Sequence, residues 1–525
     1  MTSTLEKQLP RIILYILSTL TVVLGVISYM GPPAIFPDPS WGFQVMRSME
    51  RGGGFNLLIG PSAEDVSKNA AEFISWWSPG QYLAPYLFKT LFHTNTAQAA
   101  VITVTACQLL GIAGFYNLFK KVGFSRLIAA ISVAVIVCQQ YFYIPYSFYN
   151  GGEVLLFAYA GWFLYGCLSF RKINVGMLLF ILLSGWAGFF CKSSMMWIYA
   201  SGLLCLWINL SYYEKNWWQW IRNGIWMAPP AILSVAAIYV FYLSKGQTPA
   251  STHAGIRLAW ETFGFPLASP LLSGFSVDEL THGLIYHPDG PMFSLPVTLI
   301  IIWALAILSI LVVVKLIRTI PQRHYTILIA VFYVVSVLFF SYAFLRQLAI
   351  SYEGRHFRIV GLLIIPGIVY LLSNTKVLYR AAFGLMIVFI LAFSLNKLKD
   401  EYAYNKEESA HGTSGLTQGF IDQPTLNYIM QLDKQQRNAT FVFVSADLGL
   451  EINNNRIITI EPIGHDVKID YYDYLHEGHA GPLYIVLPSD YEEQGRDKFI
   501  MKCFPGYKNF KTTALTEDYT IYSAQ

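Results

Sequence analysis

The chain has 525 residues, of which 54% are hydrophobic, 16% aromatic and only 13% charged, with a mean hydropathy of +0.44 and a formal net charge of +4. Soluble proteins carry charge at about a quarter of their positions, so this deficit implies lipid as the solvent for much of the chain. A net charge this mild, carried by basic residues that punctuate apolar runs, excludes a nucleic-acid binder.

A helix needs about 20 mainly apolar residues to cross roughly 30 Å of hydrocarbon. Eleven segments read as predicted spans: 11–30, 97–119, 127–143, 153–170, 175–190, 194–210, 225–243, 293–314, 326–345, 359–373 and 379–396. No small-residue cleavage pattern follows the first, which therefore reads as a span and not a removed signal peptide. With the N-terminus in the cytoplasm, fourteen lysines and arginines fall in about 56 cytoplasmic residues, against ten in about 151 residues of outer loop. The positive-inside rule selects that orientation and places the C-terminus outside. The six cysteines (Cys107, Cys138, Cys167, Cys191, Cys205 and Cys503) show neither CxxC nor Cys/His spacing and read as small core hydrophobes.

This reading gives a polytopic α-helical membrane domain over residues 1–396 with two long outer loops, 31–95 and 244–292, followed by a soluble extracytoplasmic α/β domain over 397–525. In the first loop, FPDPSWGFQVMRSMERGGG and AEFISWWSPGQYLAPYLFKTLF carry interface-seeking rings and are expected along the membrane surface. The fourth loop predicts a short amphipathic helix around residues 256–263. After residue 397, Leu426, Ile429 and Met430 stand at helical spacing, and a further helix is predicted near 490–501. The segments 440–445, 456–461, 483–488 and 519–523 read as strands.

Several polar groups are candidates for chemistry. Asp38 stands between Pro37 and Pro39 just past the first span; a carboxylate there suits a general base toward an acceptor hydroxyl, or an ordinary helix cap. Glu153 opens the fourth span after Gly151 and Gly152, either as a dipole-favoured cap or as a second carboxylate orienting an acceptor or metal. Glu64 and Asp65 read as a solvated face. The densest outer polar cluster is RQLAISYEGRHFRIV, where Arg346, Tyr352, Glu353, Arg355, His356 and Arg358 crowd together against the positive-inside trend. Guanidinium groups bind phosphate bidentately, so a lipid phosphate would account for them; snorkelling, or pairing with Glu353, would also do so. Lys192 is another outer cation in an apolar hairpin. His476 and His479, with Glu477 or Asp473, have a spacing that matches no zinc motif. No motif requires a cofactor, and a divalent metal, though compatible with the carboxylates, is not indicated. Walker, GxGxxG and GxSxG patterns are lacking, as are mid-span charges of the kind that mark transporters.

The layout resembles the GT-C superfamily of integral-membrane glycosyltransferases. The features that carry the resemblance are the acid soon after span one (Asp38 in FPDPSWGF), the long first outer loop, the proline-aromatic entry to span two (Trp77 to Tyr82), the outer arginines before a late span, and the C-terminal outer domain. The resemblance implies a polyprenyl-phosphate-linked sugar donor, a glycan, lipid or protein acceptor outside the cytoplasm, and a bacterial inner-membrane setting with a periplasmic C-terminal domain. It implies Asp38 as base with Glu153 as second carboxylate. Arg355, His356, Arg358, Arg346 and Lys192 would bind the donor phosphate, and Tyr82, Trp77, Tyr352 and Glu353 would line the substrate pocket. Proline and serine follow Asp38 where many relatives have an acidic pair, and only Glu153 stands in the second outer loop. An O-antigen-type polymerase or ligase is the alternative, with a transporter behind it.

Overall fold

Eight helices among the described residues are long and apolar enough to cross a membrane, or nine if one bent pair counts as a single span. The expectation of eleven spans is thereby corrected, although every one of the eleven segments is helical. The difference lies in length. Two of the predicted spans are helices of 16 and 17 residues (Gly152–Cys167 and Val175–Cys191), about 24 and 26 Å at 1.5 Å per residue, short of the hydrocarbon thickness. The helices Met196–Ser211 and Arg358–Ser373, by contrast, reach 19 and 20 residues with the 3-10 turns that precede them. A third, 127–143, breaks with a 50° bend into Arg126–Val137 and Gln140–Ser147. At the break the Gln139 amide donates to the Val135 carbonyl at 3.0 Å, satisfying an acceptor that the interrupted helix leaves bare.

The computed structural model describes all residues except Met1, Pro32, Phe36, Tyr213, Lys215, 249–254, 287–289, Pro291, Phe420 and 461–470, and describes no side chain for 2–7, Pro37, Tyr471 or Asp473. Lys215, counted above among the cytoplasmic cations, and the Asp473 carboxylate therefore lie outside the described residues. In chain order, α1 (Thr2–Met30) and β1 (Ala34–Ile35) lead to α2 (Pro37–Glu50), the hairpin β2 (Leu57–Pro61) and β3 (Asn69–Phe73), and α3 (Gly80–Phe92). There follow α4 (Thr96–Lys121), α5 (Arg126–Val137), α6 (Gln140–Ser147), β4 (Phe148–Tyr149), α7 (Gly152–Cys167), α8 (Val175–Cys191), α9 (Met196–Ser211) and α10 (Trp217–Phe241). Next come α11 (Trp260–Gly274), α12 (Val277–Leu280), α13 (Leu295–Thr319), α14 (Arg323–Leu345), α15 (Arg358–Ser373) and α16 (Val377–Glu407). The remainder holds β5 (Ala410–His411), β6 (Thr417–Gln418), α17 (Gln423–Gln435), β7 (Thr440–Phe443), β8 (Arg456–Thr459), β9 (Leu483–Pro488), α18 (Asp490–Glu493), α19 (Arg496–Lys502), β10 (Lys511–Ala514) and β11 (Tyr519–Ala524).

The chain divides into a helical unit of Met1–Val26, Val104–Tyr146 and Gly152–Lys399, and a mixed unit of Ile27–Thr103, Ser147–Gly151 and Asp400–Gln525. In the helical unit, large apolar side chains such as Leu378, Leu385, Val388 and Phe389 of α16 point outward, as lipid-facing residues must. This is an integral membrane protein. The fourth-loop helix differs from its expectation: α11 starts at Trp260 and is not amphipathic but largely buried, packed against α13, α14 and α15. It reaches α15 at Gly274 and Gly361, where a Cβ on Gly361 would collide with the Gly274 backbone. Only glycine permits that approach.

The mixed unit is built on a five-stranded sheet of order β10-β11-β9-β7-β8, parallel across β9-β7-β8 and antiparallel across β10-β11-β9. Side chains alternate between two cores, as the two-residue period requires: Val442, Leu483, Ile485 and Tyr522 enter one, and Phe441, Phe443, Val486 and Ile521 the other. The four predicted strands are present at β7, β8, β9 and β11, and the predicted helix at 426–430 is α17. The helix expected near 490–501 is two short helices divided at Gly495, whose φ is +70°. The edge strand β10, exposed at every position, has no apolar alternation to announce it. The first outer loop belongs to this same unit: Val66 sits in the first of the two cores, and its amide donates to the Glu477 carbonyl at 2.8 Å.

Candidate functional site

Three short segments of the helical unit assemble an ion array. Glu153 lies in the first turn of α7, where the helix dipole favours an acid. Lys192 caps the C-terminus of α8 in an extended conformation that ends the helix. Arg355 and His356 belong to a 3-10 turn, Gly354–Phe357, that leads directly into α15. Lys192 Nζ lies 2.5 Å from Glu153 Oε1, and Arg355 Nη1 lies 3.5 Å from the same oxygen. Arg355 Nε is 2.6 Å from Glu353 Oε2, and Glu353 in turn accepts from Ser351 Oγ. His356 Nε2 stands 3.4 Å from Ser351 Oγ, while its buried Nδ1 finds no partner among the described residues.

A second pair adjoins the turn. Arg358 forms an ion pair with Glu279 of α12, and its guanidinium lies 3.7 Å from the centre of the Tyr141 ring. The next acid, Asp278, is buried; desolvation, with Glu279 adjacent, raises its carboxyl to about 7 in spite of hydrogen bonds from the Gly354 and Leu284 amides. Lys192, Arg355 and Arg358 thus face Glu153, Glu353 and Glu279, with every one of these side chains between 14% and 21% exposed. Charges shielded to this degree must be matched, since removing one partner of such a pair costs several kcal/mol.

Two cationic heads converging on one carboxylate oxygen make an arrangement suited to an oxyanion. Guanidinium and ammonium groups fixed in a low-dielectric setting favour charge that develops on an oxygen they already face. The sequence-predicted residues Glu153, Lys192, Glu353, Arg355 and His356 are brought together here. Arg346 ends α14, half-buried, with no ion-pair partner among the described residues. Tyr352 is a packing residue, stacked on Phe344 at 4.0 Å and edge-on to Phe265 at 5.7 Å.

The remaining predicted residues belong to the mixed unit. Asp38 is half-buried in the first turn of α2, which opens on Pro37, a position where the missing N–H costs nothing. Strand β1 runs parallel to β4 and to β6, so the backbone entering α2 is held on both sides. One face of α2 is fastened along its length. Gln44 donates to the Ala446 carbonyl, Arg47 to the Gly449 carbonyl, and Arg51 to the Asn453 carbonyl, all close to the 3-10 turn Leu448–Glu451. Burial, with Arg51 close by, lowers the Arg47 guanidinium to about 10. Tyr82 is buried, donating to Asn56 Oδ1 at 2.7 Å, and Trp77 leans on Trp76 at 6.4 Å. Glu64 is exposed, and Asp65 is held by Ser67 and Lys68; hydrogen bonds from Ser67 lower its carboxyl. His476 stacks on Phe504 and His479 on Tyr507, and among the described residues no three acidic, histidine or cysteine side chains gather as a metal site would need.

Asp278 and Glu279 escaped the sequence reading. A signal was there: three outer arginines in an apolar setting call for as many carboxylates, and SVDEL supplies two of the nearest in the fourth loop.

No family model matches the sequence, and no curated protein matches it. Among solved structures the chain is similar to the apo oligosaccharyltransferase of Archaeoglobus fulgidus, at 11% identity over 96% of this chain and 73% of that one, with a TM-score of 0.50. The likeness is one of fold to that oligosaccharyltransferase. Also similar are ArnT from Cupriavidus metallidurans, at 13% identity over 97% of both chains with a TM-score of 0.46, and the arabinofuranosyltransferase AftD from mycobacteria, at 11% identity over 97% of this chain with a TM-score of 0.48. The chain spans 39% of the length of AftD. At these identities the likeness is one of fold, and the ion array is read from this chain's own residues.

Proposed function

We propose that this protein is a membrane glycosyltransferase that moves a sugar from a polyprenyl-phosphate-linked donor to an acceptor hydroxyl of a glycan, lipid or protein outside the cytoplasm. The observation that carries the reading is the meeting of Lys192 and Arg355 on one shielded oxygen of Glu153, on a GT-C-like fold. In this reading Lys192 and Arg355 hold the donor phosphate, with His356 beside them and Arg346 as a further cation. The acceptor atom attacks the anomeric carbon from the face opposite the phosphate. The bond from that carbon to the phosphate oxygen breaks, and its electron pair leaves with the polyprenyl phosphate. Asp38 takes the acceptor proton, and configuration inverts. Charge builds on the leaving oxygen during the displacement, so cations aimed there lower the barrier more than they tighten ground-state binding. Glu153, already committed to two cations, acts as their positioning residue. The bias of the basic residues supports an outer-face site, in this reading the periplasmic side of a bacterial inner membrane.

The test uses purified full-length protein in nanodiscs with a panel of radiolabelled polyprenyl-phosphate sugars, scored for donor consumption. One member of the panel is expected to be consumed, with Asp38→Asn lowering turnover by about 10²–10⁴-fold and Arg355→Ala abolishing donor binding. A panel that is neither bound nor consumed overturns the reading. Full activity in Asp38→Asn moves the chemistry to a polymerase-type mechanism that needs no acid after the first span.

A further inference from the structure

We propose that Asp278 and Glu279 of α12 are positioning residues that set the turn 354–358, and through it present Arg355 to the donor phosphate. This rests on the phosphate reading of the array given above. Asp278 Oδ2 accepts from the Gly354 amide at 2.6 Å, while its other oxygen accepts from the Leu284 amide at 3.2 Å. One residue on, Glu279 holds the Arg358 guanidinium. The acid pair therefore fixes the turn at both ends, at its first backbone N–H and at the first residue of α15. Phe357, between them, is wholly buried against Phe340, with ring centres 4.2 Å apart. What stays directed toward the array from this segment is Arg355, with His356.

The chemistry of the position explains why an acid stands there. An apolar residue would be the default at a site this buried, and a carboxylate is retained only where donors offset its desolvation. Asp278 has two acceptor oxygens for two separate amides. Asparagine could satisfy one and would turn its NH2 toward the other. Gly354 completes the fit, because a Cβ there would stand 3.0 Å from Asp278 Cβ, tighter than ordinary contact. Glu279 has a different task. It pairs with Arg358 as Glu353 pairs with Arg355, so each guanidinium of the segment has its own carboxylate.

The experiment measures binding of sugar-free polyprenyl monophosphate to full-length protein in nanodiscs, for wild type, Asp278→Asn, Glu279→Gln and the remote control Glu493→Gln, together with amide exchange over residues 353–358. Both α12 variants are expected to weaken binding by about tenfold or more, to raise the donor KM more than they lower kcat, and to leave the melting transition cooperative. Glu493→Gln should bind as wild type does, and Asp278→Asn should speed exchange at Gly354. Should Asp278→Asn not be recovered folded, Glu279→Gln, which leaves both backbone bonds intact, carries the comparison. A wild type that binds while both variants bind equally well overturns the positioning role alone. A wild type that binds no polyprenyl phosphate overturns the phosphate reading, and the positioning role falls with it.

Discussion

Glu153 ties two cations of the array together, since Lys192 and Arg355 share one of its oxygens. Glu153→Gln should lower the melting temperature, because it strands the shielded Lys192 and leaves Arg355 with Glu353 alone, at a cost of about 3 kcal/mol or more. The same change should enlarge the stabilisation that added polyprenyl phosphate confers, the ligand now supplying the missing anion. Paired melting curves with and without the lipid decide it; an unchanged ligand-induced shift would mean that the two cations do not face the ligand. Asp278 gives a pH signature. Its folded-state value of about 7 lies above the ordinary 3.8, so the folded protein holds the proton more tightly than the unfolded chain does. Stability from this group is therefore full below about pH 4, falls as pH rises toward 7 by up to ~1.4 kcal/mol per pH unit, and is flat above. The charged neighbours are Glu279 and Glu353. Melting temperatures of wild type and Asp278→Asn should accordingly differ in a pH-dependent way between pH 5 and 7.5, and a constant difference would count against the assignment.

At the scale of elements, α2 is held by contacts far from it in sequence. The double variant Gln44→Ala with Arg47→Met removes two fastenings while keeping most of the apolar packing of the arginine stem. Amide exchange over residues 37–50 should rise, and transfer should fall several-fold with donor binding unchanged, since only the Asp38 helix is loosened; unchanged exchange would show that β1 alone suffices to hold it. This scale also divides what could be read from the sequence. Long apolar helices and the strands β7, β9 and β11 announce themselves by apolar runs of different length, because both faces of these strands are buried in a core. The two-residue strands β1, β4, β5 and β6 have too few side chains to show a period. The hairpin β2-β3 is largely exposed, so its pairing is set by backbone bonds that no side-chain pattern records. At the site, Glu153, Lys192 and Arg355 were visible as charges out of place, whereas Asp278 and Glu279 sit in a polar loop where acids are unremarkable.

For the molecule as a whole, the basic residues predict a topology that reporters can check. An alkaline phosphatase fused after Gln525 should be active and a cytoplasm-dependent fluorescent protein fused there should be dark, whereas fusions in the segment joining α4 to α5, beside Lys120, Lys121 and Arg126, should give the opposite result. Reversed signals would place the array on the cytoplasmic side and remove the polyprenyl-sugar reading as written. Span counting by hydropathy alone overestimates here because it scores composition and not helix length: α7 and α8 are apolar enough but end early, at Cys167 and at the extended Lys192. Membership of the first outer loop in the mixed unit was not legible at all, since it depends on contacts such as Val66 with Ile458 and Leu483 that span most of the chain.

Those separations bear on how the protein comes into being. The strand that introduces Asp38 pairs with Phe148 and Tyr149 on one side and with Thr417 on the other, and Arg47 finds its acceptor 402 residues downstream. At 5–20 residues per second, ribosomes leave that arginine waiting on the order of 20–80 s before its acceptor exists. A nascent chain that ended after α16 and before Gly449 would possess its membrane helices and its ion array, yet α2 would lack its Arg47 fastening. If Asp38 is the base proposed above, competence is thereby deferred to the end of translation, and a truncated product should be inert in the bilayer.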